Sequence, residues 1–135
     1  MPNQQPIFNQ GDLYWCDPDP QLVDQVGSEQ KGDRIWLIVS VPRLSRGNCI
    51  VGLPLSRHTE KGGVAPHLII VPDVEITMVD GNPSITRLAL TDQIRCLNKT
   101  RLRKKAGFIS RRALFSTLSG LDSLFGRQYP SPKAN

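Results

Sequence analysis

The chain has 135 residues, enough for one domain around one core and too few to divide comfortably into two. Hydrophobic residues make up 39% and charged residues 21%, the balance of a folded globular protein, which excludes a chain disordered throughout. Lys and Arg outnumber Asp and Glu by 17 to 12, a net charge of +5 that favours anionic partners.

Residues 1–10 are polar, carry Pro2 and Pro6, and read as a flexible N-terminal arm without the basic and apolar regions of a secretory signal. From Asp12 to Asp17, Leu13 and Trp15 alternate with Tyr14 and Cys16 in the two-residue period of a half-buried strand. Asp17-Pro18-Asp19-Pro20 stops that strand, because proline removes a ladder donor, and residues 18–33 read as a long surface loop. Residues 34–41 and 48–55 are apolar and β-branched, separated by a turn with Pro42, Gly47 and Asn48, and are expected as central strands. The loop at 57–66, with Gly62-Gly63, leads into a fourth strand at 67–71 closed by Pro72. Asp80-Gly81-Asn82-Pro83 is a strong turn signal, after which 86–94 resumes an extended pattern.

No helix stands between these roughly five strands to serve as a parallel crossover, which argues for an antiparallel barrel or sandwich. Only near the end does the period change. With Ser110 as N-cap, the apolar positions Leu114, Leu118, Leu121 and Phe125 fall on one helical face, and Gly126 is a natural stop. The expected organisation is therefore one domain over 11–126 and a flexible tail over 127–135. No apolar stretch approaches the roughly 20 residues needed to span a bilayer. Cys16, Cys49 and Cys96 are widely spaced with no Cys-x-x-Cys pair, so neither a disulfide framework nor a zinc site is expected, and a reducing cytoplasm is the simpler location.

Charge is concentrated in residues 99–112, where Lys99, Arg101, Arg103, Lys104, Lys105, Arg111 and Arg112 occur with no acid. Such a segment suits phosphates or an acidic protein segment; a solvated charged loop is the alternative. Arg111 and Arg112 also fall in the first helical turn, where the macrodipole favours acids, so an anion or acidic ligand is expected nearby.

Three segments, in order and at suitable separations, resemble the signature of the MazF/PemK toxin family. They are Gly11-Asp12-Leu13-Tyr14-Trp15 leading to Asp17, then Gly27-Ser28-Glu29-Gln30-Lys31-Gly32-Asp33-Arg34 running into 35–40, then Asp92-Gln93-Ile94-Arg95 followed by Lys99 and Arg101-Leu102. Val51-Gly52-Leu53-Pro54-Leu55-Ser56 is similar to the family's strand ending in Pro-x-Thr or Pro-x-Ser, and the likeness spans about residues 10–125. It implies a mainly β fold, an SH3-like antiparallel barrel with a C-terminal α-helix, usually as a homodimer. The implied activity is sequence-specific endoribonuclease cleavage of single-stranded RNA such as mRNA, without metal or other cofactor, restrained by an acidic antitoxin protein.

Attack by the RNA's own 2′-hydroxyl needs a proton acceptor, stabilisation of charge on the phosphoryl oxygens and a donor for the leaving oxygen. Arg34 offers a fixed fork of donors matched to phosphate and stays charged, so it suits the stabilising role. Ser56 matches the family's hydroxyl residue, and Glu29 and Asp92 are the matching carboxylates, able to accept a proton or to orient Arg34. Each has an ordinary structural reading as well: a surface ion pair for Arg34, a turn residue for Ser56, a loop tie for the two acids. Ser28, Gln30, Lys31, Gln93, Arg95, Arg57 and His58 are the expected RNA contacts; His58 and His67 are of the residue type suited to acid–base work, and neither falls on a motif position. Ile35 stands where the family usually has proline, and about five extra residues around 22–26 lengthen the preceding loop. A gyrase-poisoning toxin on the same barrel and an RNA-binding barrel without cleavage are the alternatives.

Overall fold

The apolar run after Arg34 becomes β2 (Arg34–Ile38), and it can be apolar at every position because both of its faces are covered. It lies between β1 (Asp12–Cys16) and β3 (Cys49–Arg57), antiparallel to each. The computed structural model describes residues 7–17, 34–45, 47–58 and 64–126. The expected loop at 18–33, the Gly62-Gly63 turn and the tail at 127–135 lie outside these. Among the described residues the remaining strands are β4 (Ile69–Val71), β5 (Ile76–Met78), β6 (Arg87–Ala89), β7 (Arg95–Asn98) and β8 (Leu102–Ile109), followed by the helix α1 (Arg111–Leu124). No helix among them is long and apolar enough to cross a membrane.

All pairings are antiparallel, in the order β4-β6-β3-β2-β1-β8-β5. β3 is long enough to pair β7 along its first half and β6 along its second. β4 and β5 are consecutive in the chain yet occupy the two ends of the sheet, so the sheet curls into a nearly closed barrel, as the mainly β reading anticipates. On one face Leu13, Ile35, Leu37, Leu53 and Leu55 meet Val71, Ile76, Ile109, Ala113 and Leu114 in the main core. On the other, Trp36, Ile38 and Ile50 meet Cys16, Leu97 and Phe8 in a second core flanked by Tyr14 and Leu102. Phe8 is only 6% exposed, so packing begins before Gly11, within the segment expected as an arm.

Three strands escape the sequence reading. β7 continues the expected 86–94 segment after a single 3-10 turn, Thr91–Gln93. β5 has three residues, too few for a period to show. β8 occupies most of the basic segment, its inward positions being only Leu102, Ala106 and Ile109 among exposed lysines and arginine. Gly107 explains the small residues there: a Cβ at that position would stand 1.9 Å from the Thr77 carbonyl oxygen of β5.

α1 begins as expected at Ser110, whose hydroxyl accepts from the Ala113 N–H at 3.0 Å. That hydroxyl donates in turn to the Glu75 carboxylate, and the Ser110 N–H donates to the Glu75 carbonyl at 2.9 Å. Glu75 thus supplies from 35 residues upstream the negative charge that Arg111 and Arg112 deny the first turn. The acid beside the helix start belongs to the chain itself, where a ligand is expected from the sequence. The buried face of α1 is Ala113, Leu114, Thr117 and Gly120, with Leu118 and Leu121 half-buried against the core. Phe125, expected on that face, is 69% exposed, because the helix ends at Leu124 before the next inward turn is complete.

Gly120 lets α1 sit directly on the chain entering β4: an added Cβ would lie 2.7 Å from Ile69 Cγ1 and 2.8 Å from the His67 carbonyl oxygen. An exposed helical Gly→Ala change gains up to about 1 kcal/mol; here overpacking of about 1–3 kcal/mol works against it. Gly120→Ala is therefore expected to lower the urea midpoint of unfolding, and a raised midpoint would show that α1 does not pack this closely.

Candidate active site

The register of β2 against β3 decides the site. Ile35 pairs with Leu55 and Trp36 with Pro54, and the same register carried one residue further sets Arg34 across from Ser56. Opposed residues of an antiparallel pair share a face and successive residues alternate. Since Ile35 and Leu55 point into the main core, Arg34 and Ser56 stand together on the other face, beyond Trp36 and Pro54. Both are half-buried, and Cys16 of β1 flanks Arg34 while Leu88 of β6 flanks Ser56.

Asp92 and Gln93 sit on the 3-10 turn between β6 and β7, exposed to solvent. That turn is fastened to β3 by the Leu90 N–H to Pro54 carbonyl bond at 3.0 Å, about 7 Å of strand from Ser56 at roughly 3.3 Å per residue. The Thr91 hydroxyl, fully buried, donates to the His67 carbonyl at 2.5 Å and fixes the turn from the other side. Asp92 Oδ2 then lies 3.9 Å from His67 Nε2, too long for a hydrogen bond and close enough for charge attraction when the imidazole is protonated. Arg95 pairs with Gly52 and so shares the Arg34 and Ser56 face, about 13 Å of strand from Ser56.

His58 follows the end of β3, its N–H donating to the Thr86 carbonyl at 3.3 Å. Its Nδ1 is buried and, among the described residues, has no hydrogen-bond partner. Arg57, by strand alternation, stands on the face opposite Ser56, across from Arg87. The structure therefore brings together Arg34 and Ser56, holds Asp92, Gln93 and Arg95 along the same stretch of β3, and separates Arg57 from them. Ser28, Glu29, Gln30 and Lys31 lie outside the described residues.

Two features went unread in the sequence. His67 meets Asp92 only through the tertiary turn, which no motif spacing announces. Arg87 donates to the Leu55 carbonyl at 3.4 Å, and its pKa is lowered by burial and by the neighbouring Arg57, with Asp80 acting in the opposite sense. Asp80 in turn accepts from Trp15 Nε1 at 2.7 Å and from the Asn82 backbone and side chain at 3.0 and 2.9 Å.

The basic segment is less free than its composition implies. Arg103 pairs with Asp17 at 2.5 Å, Arg101 donates to the Asp17 carbonyl at 2.6 Å, and Lys105 reaches Asp12, 5% exposed, at 3.5 Å. Lys104, Arg111 and Arg112 are exposed, and Arg111 also covers the Phe115 ring at 5.8 Å.

These features define a small antiparallel barrel with an arginine and a serine in register at adjoining strand ends. A family model described as "PemK-like, MazF-like toxin of type II toxin-antitoxin system" matches residues 9–125, and the chain belongs to that family. No curated protein matches it by sequence. Among solved structures it is similar to an endoribonuclease in complex with its cognate antitoxin from a mycobacterial species, at 21% identity and TM-score 0.64, covering 90% of this chain and 98% of that one. A second mycobacterial endoribonuclease has 20% identity and TM-score 0.65, covering 95% and 100%. MazF from Deinococcus radiodurans has 21% identity and TM-score 0.62, covering 90% and 99%.

Burial alone would raise the Asp80 carboxyl, but the hydrogen bonds from Trp15 and Asn82 outweigh it and hold the group below its usual range. A carboxyl depressed in the folded state contributes stability above its ordinary pKa and loses it as pH falls through the folded one. Asp80→Asn is expected to flatten the loss of thermal stability below about pH 4 relative to the wild type. Identical acid limbs in thermal melts would remove Asp80 from this role.

Proposed function

We propose that the chain is a toxin endoribonuclease that cleaves single-stranded RNA at chosen sequences by internal transesterification, without a metal ion. The observation that carries this reading is the placement of Arg34 opposite Ser56 on one face of the β2–β3 pair. The ribose 2′-oxygen attacks phosphorus, the bond to the 5′-oxygen breaks, and the products are a 2′,3′-cyclic phosphate and a free 5′-hydroxyl. Charge gathers on the non-bridging oxygens in the transition state, where the Arg34 guanidinium and the Ser56 hydroxyl donate to them. Arg34 keeps its charge at any relevant pH and so serves as an electrostatic clamp, not as a proton carrier. The 2′ proton passes to a carboxylate, Asp92 or Glu29, and the leaving oxygen takes a proton in its turn.

The decisive experiment incubates the purified protein with single-stranded RNA in EDTA beside the same sequence with 2′-deoxy sugars. Only the RNA is expected to be cut, and Arg34→Ala should slow that cutting by about 10²- to 10³-fold with an unchanged circular dichroism spectrum. Cleavage of the deoxy strand, an absolute need for a divalent ion, or full activity in the variant would each overturn the mechanism.

The same reading supplies partners: a second copy of the chain, RNA, and an acidic antitoxin in the cytoplasm. Exposed Lys104, Arg111 and Arg112 support an acidic partner, because exposed cations attract a flexible anionic segment. Reversing Arg111 and Arg112 to Glu is expected to weaken antitoxin binding, measured by calorimetry with the cognate protein. Unaltered affinity would place the antitoxin elsewhere.

A further inference from the structure

Two of the three cysteines lie near each other on the surface. Cys49 opens β3 and Cys96 lies in β7; the register pairs Cys49 with Asn98 and Val51 with Cys96, so the cysteines are diagonal neighbours sharing the face of Val51. The Lys99 N–H donates to the Asn48 carbonyl at 2.7 Å, which makes Cys49 and Asn98 a pair flanked by, and not joined by, ladder hydrogen bonds. Side chains approach most closely across such pairs. The neighbouring Cys49 thiol, ahead of slight burial, raises the Cys96 pKa. Both cysteines are exposed, whereas Cys16 is buried at 1%.

We propose that Cys49 and Cys96 form a reversible dithiol–disulfide site on the barrel surface, oxidised by small disulfides such as glutathione disulfide. The Cys49 thiolate attacks one sulfur of glutathione disulfide, forming a mixed disulfide and releasing one glutathione thiolate. The Cys96 thiol then gives up its proton and attacks the Cys49 sulfur, forming the Cys49–Cys96 bond and releasing the second glutathione. Two protein thiols are oxidised and one glutathione disulfide becomes two glutathiones, so atoms and electrons balance. Capture is fast because the second thiol is a diagonal neighbour of the first on one strand face, an intramolecular step that an isolated surface cysteine lacks.

Diagonal strand neighbours have Cα atoms about 7–8 Å apart, at or past the upper limit for an unstrained disulfide. Closing the bond therefore draws β3 and β7 together, and a strained, exposed bond is readily reduced. Reversibility is built into the register. This site does not depend on the ribonuclease reading, since neither sulfur takes part in the phosphate chemistry.

The test treats the full chain with glutathione disulfide and follows intact mass, peptide maps and non-reducing electrophoresis. The expected result is a loss of two hydrogens, a linked Cys49–Cys96 peptide, a single-chain mobility and complete reversal by excess glutathione. Cys49→Ser and Cys96→Ser should each instead retain one glutathione on the surviving surface cysteine, with Cys16 unmodified. Stable glutathione adducts on wild-type protein without the linked peptide, or a bond joining two chains, would overturn the proposal.

Discussion

The pairing of β2 with β3 is the constraint on which the rest of the molecule depends. Both strands are buried on two sides, so a slip of one residue would drive Trp36 and Ile38 into the space shaped for Ile35 and Leu37 and expose one set to the wrong core. Each fully buried Leu or Ile there is worth about 1.5–3 kcal/mol, and a slip would forfeit several at once. Gly52 tightens the same register, because a Cβ there would stand 2.9 Å from the Leu37 carbonyl oxygen. The alignment of Arg34 with Ser56 is thus a by-product of hydrophobic packing, held far more firmly than two polar side chains could hold each other.

Charge is arranged with similar economy. Asp12 of β1 and Asp17 just after it pair with cations of β8, the neighbouring strand, and so neutralise part of a segment that looks uniformly basic in one dimension. What is left over is gathered at Lys104 and at the start of α1. A linear count of charge overstates the anion-binding surface, since it cannot register acids brought in from another strand.

Where apolar residues repeat with a clear period, the sequence was enough: β1, β2, β3 and the capped start of α1 are legible from Leu13, Trp15, the run after Arg34, and Ser110. β8 is not, because Arg103, Lys104 and Lys105 interrupt its alternation, and β5 is too short to have one. At the site, Arg34, Ser56 and Asp92 were visible through motif resemblance, but their relative placement required the strand register. The Asp92 approach to His67 depends on a turn anchored by Thr91, and the nearness of Cys49 to Cys96 on a diagonal across β3 and β7; spacing along the chain encodes neither.

The N-cap of α1 has a bearing on how the chain reaches this state. Glu75 and Ser110 come together only once β5 has docked on β8, and Ile76 is paired with Ile109 beside them. A lone 14-residue helix with two arginines in its opening turn is marginal in water. Its capped start therefore depends on long-range strand pairing, which makes the helix a reporter of whether the barrel has closed.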